Sequence, residues 1–377
     1  MESYTTQERV LWGPVRIPSD SERVVDADEE VFILYSDLQA GVASETSPET
    51  SFRGLGHVDS RKDTMSITFE LSNPAISIPA SSSLGAEEVP VKLSHRHKKT
   101  IQKKDKFKVT GGKTITIELA QDKTALRTRK GDTGSVLWKA RFVSPTYGHA
   151  ISLNKSSQNH FCSVDFARLV LQQLHDQNFA DAAETSLLDS SVLKNHHVVE
   201  LGFGNLSKRD PASTGLLAIA LAPHVSRYTV TDIAALVPLL RKNVSANFPG
   251  WPFATPTQVP GSKVFVEELD WIVLASASLT QRPKILADIS PADLVLVVDS
   301  IYHPSLLLPL IETLHELAVP GRTAVLVVVE LRGEEVIREF LELWLAQPGW
   351  EVWRVGDGEK GAGGMGRPYA MWLGWRN

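Results

Sequence analysis

The sequence predicts an α/β fold with a mostly parallel sheet, preceded by a smaller β-rich region. From about residue 131 onward, short apolar runs that are typical of buried strands alternate with amphipathic helical patterns. Near the end of the chain, two aromatic strands follow one another without a helix between them. Alternation of strands and helices requires crossover connections and a parallel sheet covered by helices on both faces. The two consecutive strands at the end indicate an antiparallel edge on that sheet.

The first 130 residues are polar and only intermittently apolar, and we assign them to a β-rich N-terminal extension. The apolar run at 31–35 is predicted to be a strand. Segments 65–71 and 114–119 alternate apolar and polar side chains, which is typical of half-buried strands. Residues 72–108 lie between these two strands, begin with a stretch rich in Ser, Pro and Ala, and are expected to form a mobile loop.

The second half of that loop, residues 92–108, is strongly basic. It contains eight Lys and Arg residues and a single acid, Asp105. The simplest interpretation is a solvated charged loop. The functional alternatives are a nuclear-import signal or a weak contact to RNA or to a ribosome-associated partner. At the level of the sequence these alternatives remain open.

Residues 131–377 carry the α/β pattern and are predicted to form one domain. The predicted strands are 198–201, 228–232, 264–266, 294–298, 324–329, 350–355 and 369–375. The predicted helices are 214–222, 233–247, 305–317 and 334–346. A Gly-rich turn, 356–366, joins the last two strands.

Composition narrows the classes of protein to consider. The chain has 377 residues and a formal net charge of −5, which argues against binding nucleic acid with its whole surface. Cys162 is the only cysteine, so an intramolecular disulfide and a cysteine-based zinc site are excluded. The histidines form no metal-ligand pattern, and no metal is expected. Without a signal peptide or a long apolar run, we expect a soluble, monomeric, cytoplasmic protein that does not bind membranes, with a nuclear location as the alternative.

The chemistry is predicted at the first strand-to-helix turn of the domain, Glu200-Leu201-Gly202-Phe203-Gly204. Glycines there let a ligand approach the backbone closely, and parallel sheets bind ligands at the carboxyl ends of their strands. Asp232 ends the next strand, where a carboxylate can accept hydrogen bonds from ribose hydroxyls. It follows Gly202 by 30 positions, whereas about 20 are usual. We therefore interpret residues 205–213 as an insertion within a nucleoside-binding turn.

Five features together resemble the seven-strand S-adenosylmethionine-dependent methyltransferases, with their Rossmann-like sheet. The resemblance is to the protein-lysine methyltransferase branch, and most of all to the fungal ribosomal lysine N-methyltransferase 5 group within the methyltransferase-like 21 branch. Asp299-Ser300-Ile301-Tyr302 after the fourth strand has the Asp-x-x-Tyr pattern that marks the lysine-methylating branch. The others are the glycine turn, Asp232 with the helix that follows it, Leu269-Asp270-Trp271, and the upstream block Gly131 to Trp138.

The resemblance implies a cofactor set and a substrate set. The residues that would hold S-adenosylmethionine are Trp138, Gly202, Phe203, Gly204, Asp232, Trp271 and Val298. Asp299 and Tyr302 would line the channel through which a substrate lysine enters. Each residue also has a simpler structural interpretation, since Asp232 could cap the following helix and Trp271 could be a core aromatic.

The implied activity is protein-lysine N-methylation, with a ribosomal protein of the large subunit as the expected partner. Two segments, 141–162 and 205–213, depart from the family pattern, and we hypothesise that they are translated introns or misplaced splice boundaries. If they are genuine and block the cofactor turn, the chain would be an inactive, non-enzymatic binding protein. An NAD-dependent oxidoreductase would share the turn and the acid, but it would need a separate substrate domain.

Overall fold

The computed structural model describes residues 11–43, 64–73, 112–120, 162–179, 186–202, 214–253, 260–356 and 364–377. The strands are β1 (Leu11–Trp12), β2 (Val15–Arg16), β3 (Glu22–Arg23), β4 (Thr64–Leu71), β5 (Lys113–Ala120), β6 (His197–Leu201), β7 (Arg227–Asp232), β8 (Val264–Glu268), β9 (Leu294–Val298), β10 (Ala324–Glu330), β11 (Trp350–Arg354) and β12 (Tyr369–Arg376). The helices are α1 (Ala27–Ala43), α2 (Cys162–Asp176), α3 (Ser190–Leu193), α4 (Leu216–Leu221), α5 (Val237–Asn247), α6 (Trp271–Ser276), α7 (Arg282–Ile285), α8 (Pro304–Leu317) and α9 (Glu334–Leu345).

The main sheet has eight strands in the order β3-β11-β12-β10-β9-β6-β7-β8. The five strands from β10 to β8 in this order pair in parallel. β12 runs antiparallel to both of its neighbours, β10 and β11, and β3 pairs antiparallel with β11. The predicted α/β fold is therefore confirmed. The structure adds that the last strand lies inside the sheet and that an N-terminal strand forms its edge.

Both faces of the sheet are buried, which explains the nearly continuous apolar strands. Along β9, Leu294 and Leu296 belong to one apolar cluster, and Val295 and Val297 belong to another. Successive side chains of a strand point to opposite faces, so a central strand needs apolar residues at every position. Residues of α2 and α4 lie in the first cluster, and residues of α8 and α9 lie in the second.

The alternating segments of the N-terminal region form the antiparallel pair β4–β5, as predicted. Asn243 in α5 fixes this pair to the domain, since its Oδ1 accepts from the Ala120 backbone N–H at 2.7 Å. The neighbouring Asn247 accepts from the backbone N–H of Glu118 at 3.0 Å. Phe69 and Leu119 lie in the same apolar cluster as α2. The pair therefore packs against the unit formed by the main sheet and its helices rather than standing apart from it.

The predicted strand at 31–35 is wrong, because these residues lie inside α1. Asp26 accepts a hydrogen bond from the backbone N–H of Glu29 at 2.9 Å, which satisfies a free donor of the first helical turn. Val31 and Leu38 face the core, whereas Phe32 is 72% exposed. Five consecutive apolar residues hid this one-sided pattern. The buried Glu30 ties α1 to the sheet by accepting from Trp372 Nε1 at 2.8 Å.

Two other details of the sequence analysis change. Cys162, which we placed at the end of a suspected insertion, begins α2 and is buried in the core. Helices α6 and α7, between β8 and β9, were not predicted. Within the described ranges, the longest apolar helices are too short or too polar to cross a membrane. The same ranges hold no cluster of three or more His, Cys, Asp or Glu side chains suited to a metal ion.

Candidate active site

The predicted site residues that the structure describes lie at the end of the main sheet where the carboxyl ends of the parallel strands meet. Gly202 follows β6, Asp232 ends β7, and Asp299 follows β9. These three strands are parallel neighbours in the order β9-β6-β7, so their carboxyl ends are adjacent. Trp138, Phe203 and Gly204 lie outside the described residues, as do 141–161 and 205–213.

Gly202 lies against the end of the neighbouring strand. A Cβ atom built on Gly202 would overlap the Asp232 carboxylate and the Thr231 carbonyl oxygen. The backbone N–H of Gly202 donates to the Thr231 carbonyl at 2.9 Å. A glycine is therefore required for the turn to pass beside the Asp232 carboxylate, and any side chain here would displace one or the other.

Asp232 is fully buried, with an exposed fraction of 0%. Its Oδ1 accepts from the backbone N–H of Ile233 at 2.7 Å. Helix α5 begins only at Val237, and the residue that precedes it is Leu236, which makes no side-chain capping bond. Asp232 therefore does not serve as the N-cap of that helix.

Trp271 begins α6 and is fully buried in the cluster that also contains Ile301 and Leu307. Asp270 caps this helix, accepting from the backbone N–H groups of Ile272 and Val273. The indole Nε1 of Trp271 has no hydrogen-bond partner within the described part of the chain. Its packing is that of a core aromatic, and its N–H is a buried donor whose lack of an acceptor costs about 1–3 kcal/mol.

Asp299 occupies an unusual backbone conformation immediately after β9. Its φ angle is +57°, in the left-handed region that residues other than glycine, asparagine and aspartate rarely adopt. Its backbone N–H donates to the Val328 carbonyl at 2.8 Å, which holds it against β10. Aspartate tolerates this conformation better than most residues, because its short polar side chain can hydrogen-bond locally. Val298, the preceding residue, is half-buried and pairs with Val328.

The Asp299 carboxylate forms an ion pair with Arg332, at 2.9 Å between Oδ2 and Nη2. Burial raises the pKa of Asp299 to about 6, although the Arg332 guanidinium opposes the shift. The side chain keeps 25% of its surface exposed. It is thus reachable from solvent. Tyr302 is half-buried three residues later, with its ring edge-on to His303 at 6.5 Å between centroids.

Several charged and polar residues around Asp299 and Glu330 were not predicted from the sequence. Glu330 ends β10, and Arg332 follows it by two positions. Their location at a strand end is the same feature that led to the selection of Asp299. Tyr369 donates to Asp165 Oδ2 at 2.8 Å, joining the start of β12 to α2. These contacts link positions far apart in the chain, and no spacing within the sequence indicates them.

A second buried acid lies beneath the glycine turn. Glu200 is 5% exposed and accepts a hydrogen bond from the Tyr228 hydroxyl at 2.8 Å. Burial raises the pKa of Glu200 to about 7, and the bond from Tyr228 offsets only part of the shift. A large fraction of Glu200 is therefore uncharged at neutral pH.

A family model described as lysine methyltransferase matches residues 120–345, which is more than half of the chain. The chain belongs to the lysine methyltransferase family. S-adenosylmethionine is the cofactor that this family assignment implies. The glycine turn beside the buried Asp232 fits that assignment, because it combines a close backbone approach with a carboxylate acceptor.

Two curated relatives match the chain over part of its length. It is 30% identical over 165 residues to ribosomal lysine N-methyltransferase 5 of Eremothecium gossypii, which covers 38% of this chain and 48% of that protein. It is 28% identical over 228 residues to diaminohydroxyphosphoribosylamino-pyrimidine deaminase of Schizosaccharomyces pombe, covering 60% of this chain and 41% of that protein. The chain thus spans less than half the length of either relative.

Among solved structures, the chain is similar to a human methyltransferase 10 domain containing protein, with 13% identity, 56% and 80% of the two chains covered, and a TM-score of 0.31. It is also similar to the SAM dependent methyltransferase from Agrobacterium tumefaciens, with 13% identity, 63% and 73% of the two chains covered, and a TM-score of 0.29. Similarity at this level does not bear on the substrate.

Proposed function

We propose that this methyltransferase is a protein-lysine N-methyltransferase that acts on a ribosomal protein of the large subunit. The observation that carries the proposal is the position of Asp299. It follows β9, the strand next to β6, and β6 leads into the glycine turn at Gly202. A carboxylate that is partly exposed in that place can bind an amine beside a cofactor held at the turn.

In this proposal the cofactor lies along the carboxyl ends of three adjacent strands. Gly202 lets the backbone approach it, and Asp232 accepts from its ribose hydroxyls. By family resemblance, Trp271 and Val298 would border the adenine side, although Trp271 is packed as a core aromatic in this structure. By family resemblance, Trp138, Phe203 and Gly204 complete the set. Bound S-adenosylmethionine supplies an electrophilic methyl group next to a sulfonium charge.

The amine to be methylated must lose its proton. A lysine has a pKa of about 10.4, so presenting it as a free base at neutral pH costs about 4 to 5 kcal/mol. A desolvated channel and a nearby positive charge both favour the neutral amine, whereas a carboxylate favours the ammonium form. Asp299 is therefore assigned to capturing and orienting the lysine and not to acting as a strong base. Tyr302 would pack on or hydrogen-bond the amine, and positioning supplies most of the acceleration.

The ribosomal substrate is supported by the similarity to ribosomal lysine N-methyltransferase 5 of Eremothecium gossypii. The basic segment 92–108 fits the same substrate, because its eight positive side chains are suited to ribosomal RNA near a target protein. The proposed partner is thus a ribosomal protein. Contact between segment 92–108 and RNA would only assist binding to that protein.

The test is transfer of tritiated methyl groups from S-adenosylmethionine into ribosomal proteins prepared from a strain in which the gene has been deleted. The wild-type chain should label at least one large-subunit protein, and acid hydrolysis should recover the label as methyl-lysine. Asp299→Ala should reduce the rate by at least about 100-fold, since a misplaced reacting group costs that much.

Asp288→Ala is a suitable control, because Asp288 is an exposed aspartate ahead of β9, at the opposite edge of the sheet. It should label at the wild-type rate. Label recovered in nucleic acid or in another amino acid, or an Asp299→Ala chain as active as the control, would contradict the proposal.

A further inference from the structure

Arg332 makes a shared contact with two acids at the ends of neighbouring strands. Its Nη2 lies 2.9 Å from Asp299 Oδ2 and 2.7 Å from Glu330 Oε2. Its Nε also donates to Glu330 Oε2, at 3.0 Å. One guanidinium thus bridges two carboxylates, a fixed geometry that a lysine ammonium at this position would not reproduce.

The backbone places the two acids side by side. Glu330 ends β10, and Asp299 follows the adjacent parallel strand β9. The left-handed conformation of Asp299 and its bond to the Val328 carbonyl hold the acid at this point. Two carboxylates so close, and half-buried, repel each other, and without a cation one of them would retain a proton at neutral pH.

We propose that Arg332 is a positioning residue that keeps Asp299 ionised and in one orientation, so that Asp299 can capture the ammonium group of the substrate lysine. This inference rests on the function proposed above. Two carboxylates and one guanidinium leave the group with one net negative charge, which attracts a second cation. An ionised carboxylate has about four acceptor positions, and the contacts with Arg332 occupy only some of them.

The other titratable groups around this cluster do not supply a cation that would compete with the substrate lysine for Asp299. Cys162, at the start of α2, has a thiol whose pKa is raised by burial and by the Asp299 charge, so it stays protonated and neutral. Asp165, also on α2, pairs with Arg168 at 2.6 Å and accepts from Tyr369. Burial raises the pKa of the Tyr369 phenol, which therefore also remains neutral.

The first test needs no substrate. The protein is labelled with ¹³Cγ-aspartate, and the Asp299 resonance is identified as the one missing in Asp299→Asn. In the wild type, the Asp299 resonance should titrate near pH 6. Arg332→Gln should raise its midpoint by about 1–3 units, and Arg332→Lys should raise it less, because the charge is retained. An unchanged or lower midpoint in Arg332→Gln would overturn the proposal.

Glu330→Gln provides a second measurement in case Arg332→Gln does not fold. Removing the second carboxylate removes its repulsion of the Asp299 charge, so the Asp299 midpoint should fall below the wild-type value. A midpoint that does not move in Glu330→Gln would mean that the three groups are not coupled, and it would also overturn the proposal.

The second test measures methyl transfer to the same ribosomal proteins at two pH values. If the midpoint rises by two units, the ionised fraction of Asp299 at pH 7 falls about tenfold, and KM for the protein substrate should rise about tenfold in Arg332→Gln. At pH 9 the ratio of variant to wild-type KM should return toward one, with binding of S-adenosylhomocysteine unchanged at both pH values. An equal deficit at both pH values would indicate a purely structural role and would overturn the proposal.

These outcomes separate the two proposals. If the wild-type chain transfers no methyl group to ribosomal proteins, the proposed function fails, and the ¹³C titration still decides whether Arg332 controls the charge of Asp299. If the wild type is active and the titration midpoints do not move, the proposed function stands and the role of Arg332 fails.

Discussion

At the scale of single residues, the clearest consequence of burial is the charge of Glu200. Its folded-state pKa is raised to about 7, above the ordinary value of 4.5 for a glutamate, because the carboxyl is buried beneath the glycine turn. The folded state therefore holds a proton that the unfolded chain releases. The resulting stabilisation is fully present below about pH 4.5 and is lost as the pH rises toward 7, a difference of about 3 kcal/mol.

Glu200→Gln should remove this dependence, because glutamine carries no charge and still accepts the hydrogen bond from Tyr228. We expect the free energy of unfolding of the variant, relative to the wild type, to increase between pH 4.5 and pH 7 and to level off above it. Urea unfolding at several pH values, without cofactor, measures this difference. Since Asp299 is present in both proteins, its own titration cancels. A difference that does not vary with pH would contradict the prediction.

At the scale of elements, the contact between α5 and the β4–β5 pair depends on one buried amide. Asn243 is fully buried, accepts from the Ala120 N–H and donates to the carbonyl of Thr214 at 2.9 Å. Asn243→Ala would leave these backbone groups without partners. We expect a loss of about 1–3 kcal/mol in the free energy of unfolding, measured with urea.

Asn247→Ala is the matched control for this contact, because Asn247 bonds the same strand from a position that water can reach. Its loss should be smaller than that of Asn243→Ala, since water can replace the bonds to Glu118. Equal losses in the two variants would show that burial of the amide does not determine the strength of the contact.

At the scale of the whole molecule, the sequence predicts those parts of the fold in which the pattern of apolar and polar residues is compatible with only one type of secondary structure. The parallel strands were predictable because both of their faces are buried, and the β4–β5 pair because only one face is. The run at 31–35 was misassigned because five successive apolar residues fit a buried strand as well as the start of α1. The position of β12 inside the sheet depends on strand order, which periodicity does not encode.

The residues of the candidate site likewise differ in whether the sequence alone indicates them. Gly202, Asp232 and Asp299 each follow or end a strand and could be selected from the sequence alone. The bridge from Arg332 to Asp299 and Glu330 could not be selected, because it depends on the lateral order of β9 and β10 and on a left-handed backbone angle. The buried state of Trp271 also depends on packing against α8, which the sequence does not specify.

Cofactor binding gives a prediction that involves the whole domain. A ligand that binds only the folded state stabilises it by about 2.7 kcal/mol at 100 times its Kd. We expect S-adenosylhomocysteine to raise the unfolding free energy by this amount and NAD at the same concentration to have no effect. Asp232→Asn should weaken the stabilisation, since a neutral amide accepts less strongly from ribose hydroxyls than a carboxylate does.

The measurement is urea unfolding over a series of ligand concentrations, with calorimetric titration giving the Kd independently. If neither ligand stabilises the wild-type chain, the cofactor turn is blocked, as a non-enzymatic binding protein would require. If NAD stabilises it as strongly as S-adenosylhomocysteine does, recognition extends only to the adenosine that the two ligands share. Stabilisation by S-adenosylhomocysteine alone means that the pocket also distinguishes the amino-acid half of the cofactor, next to which the proposed substrate amine would enter.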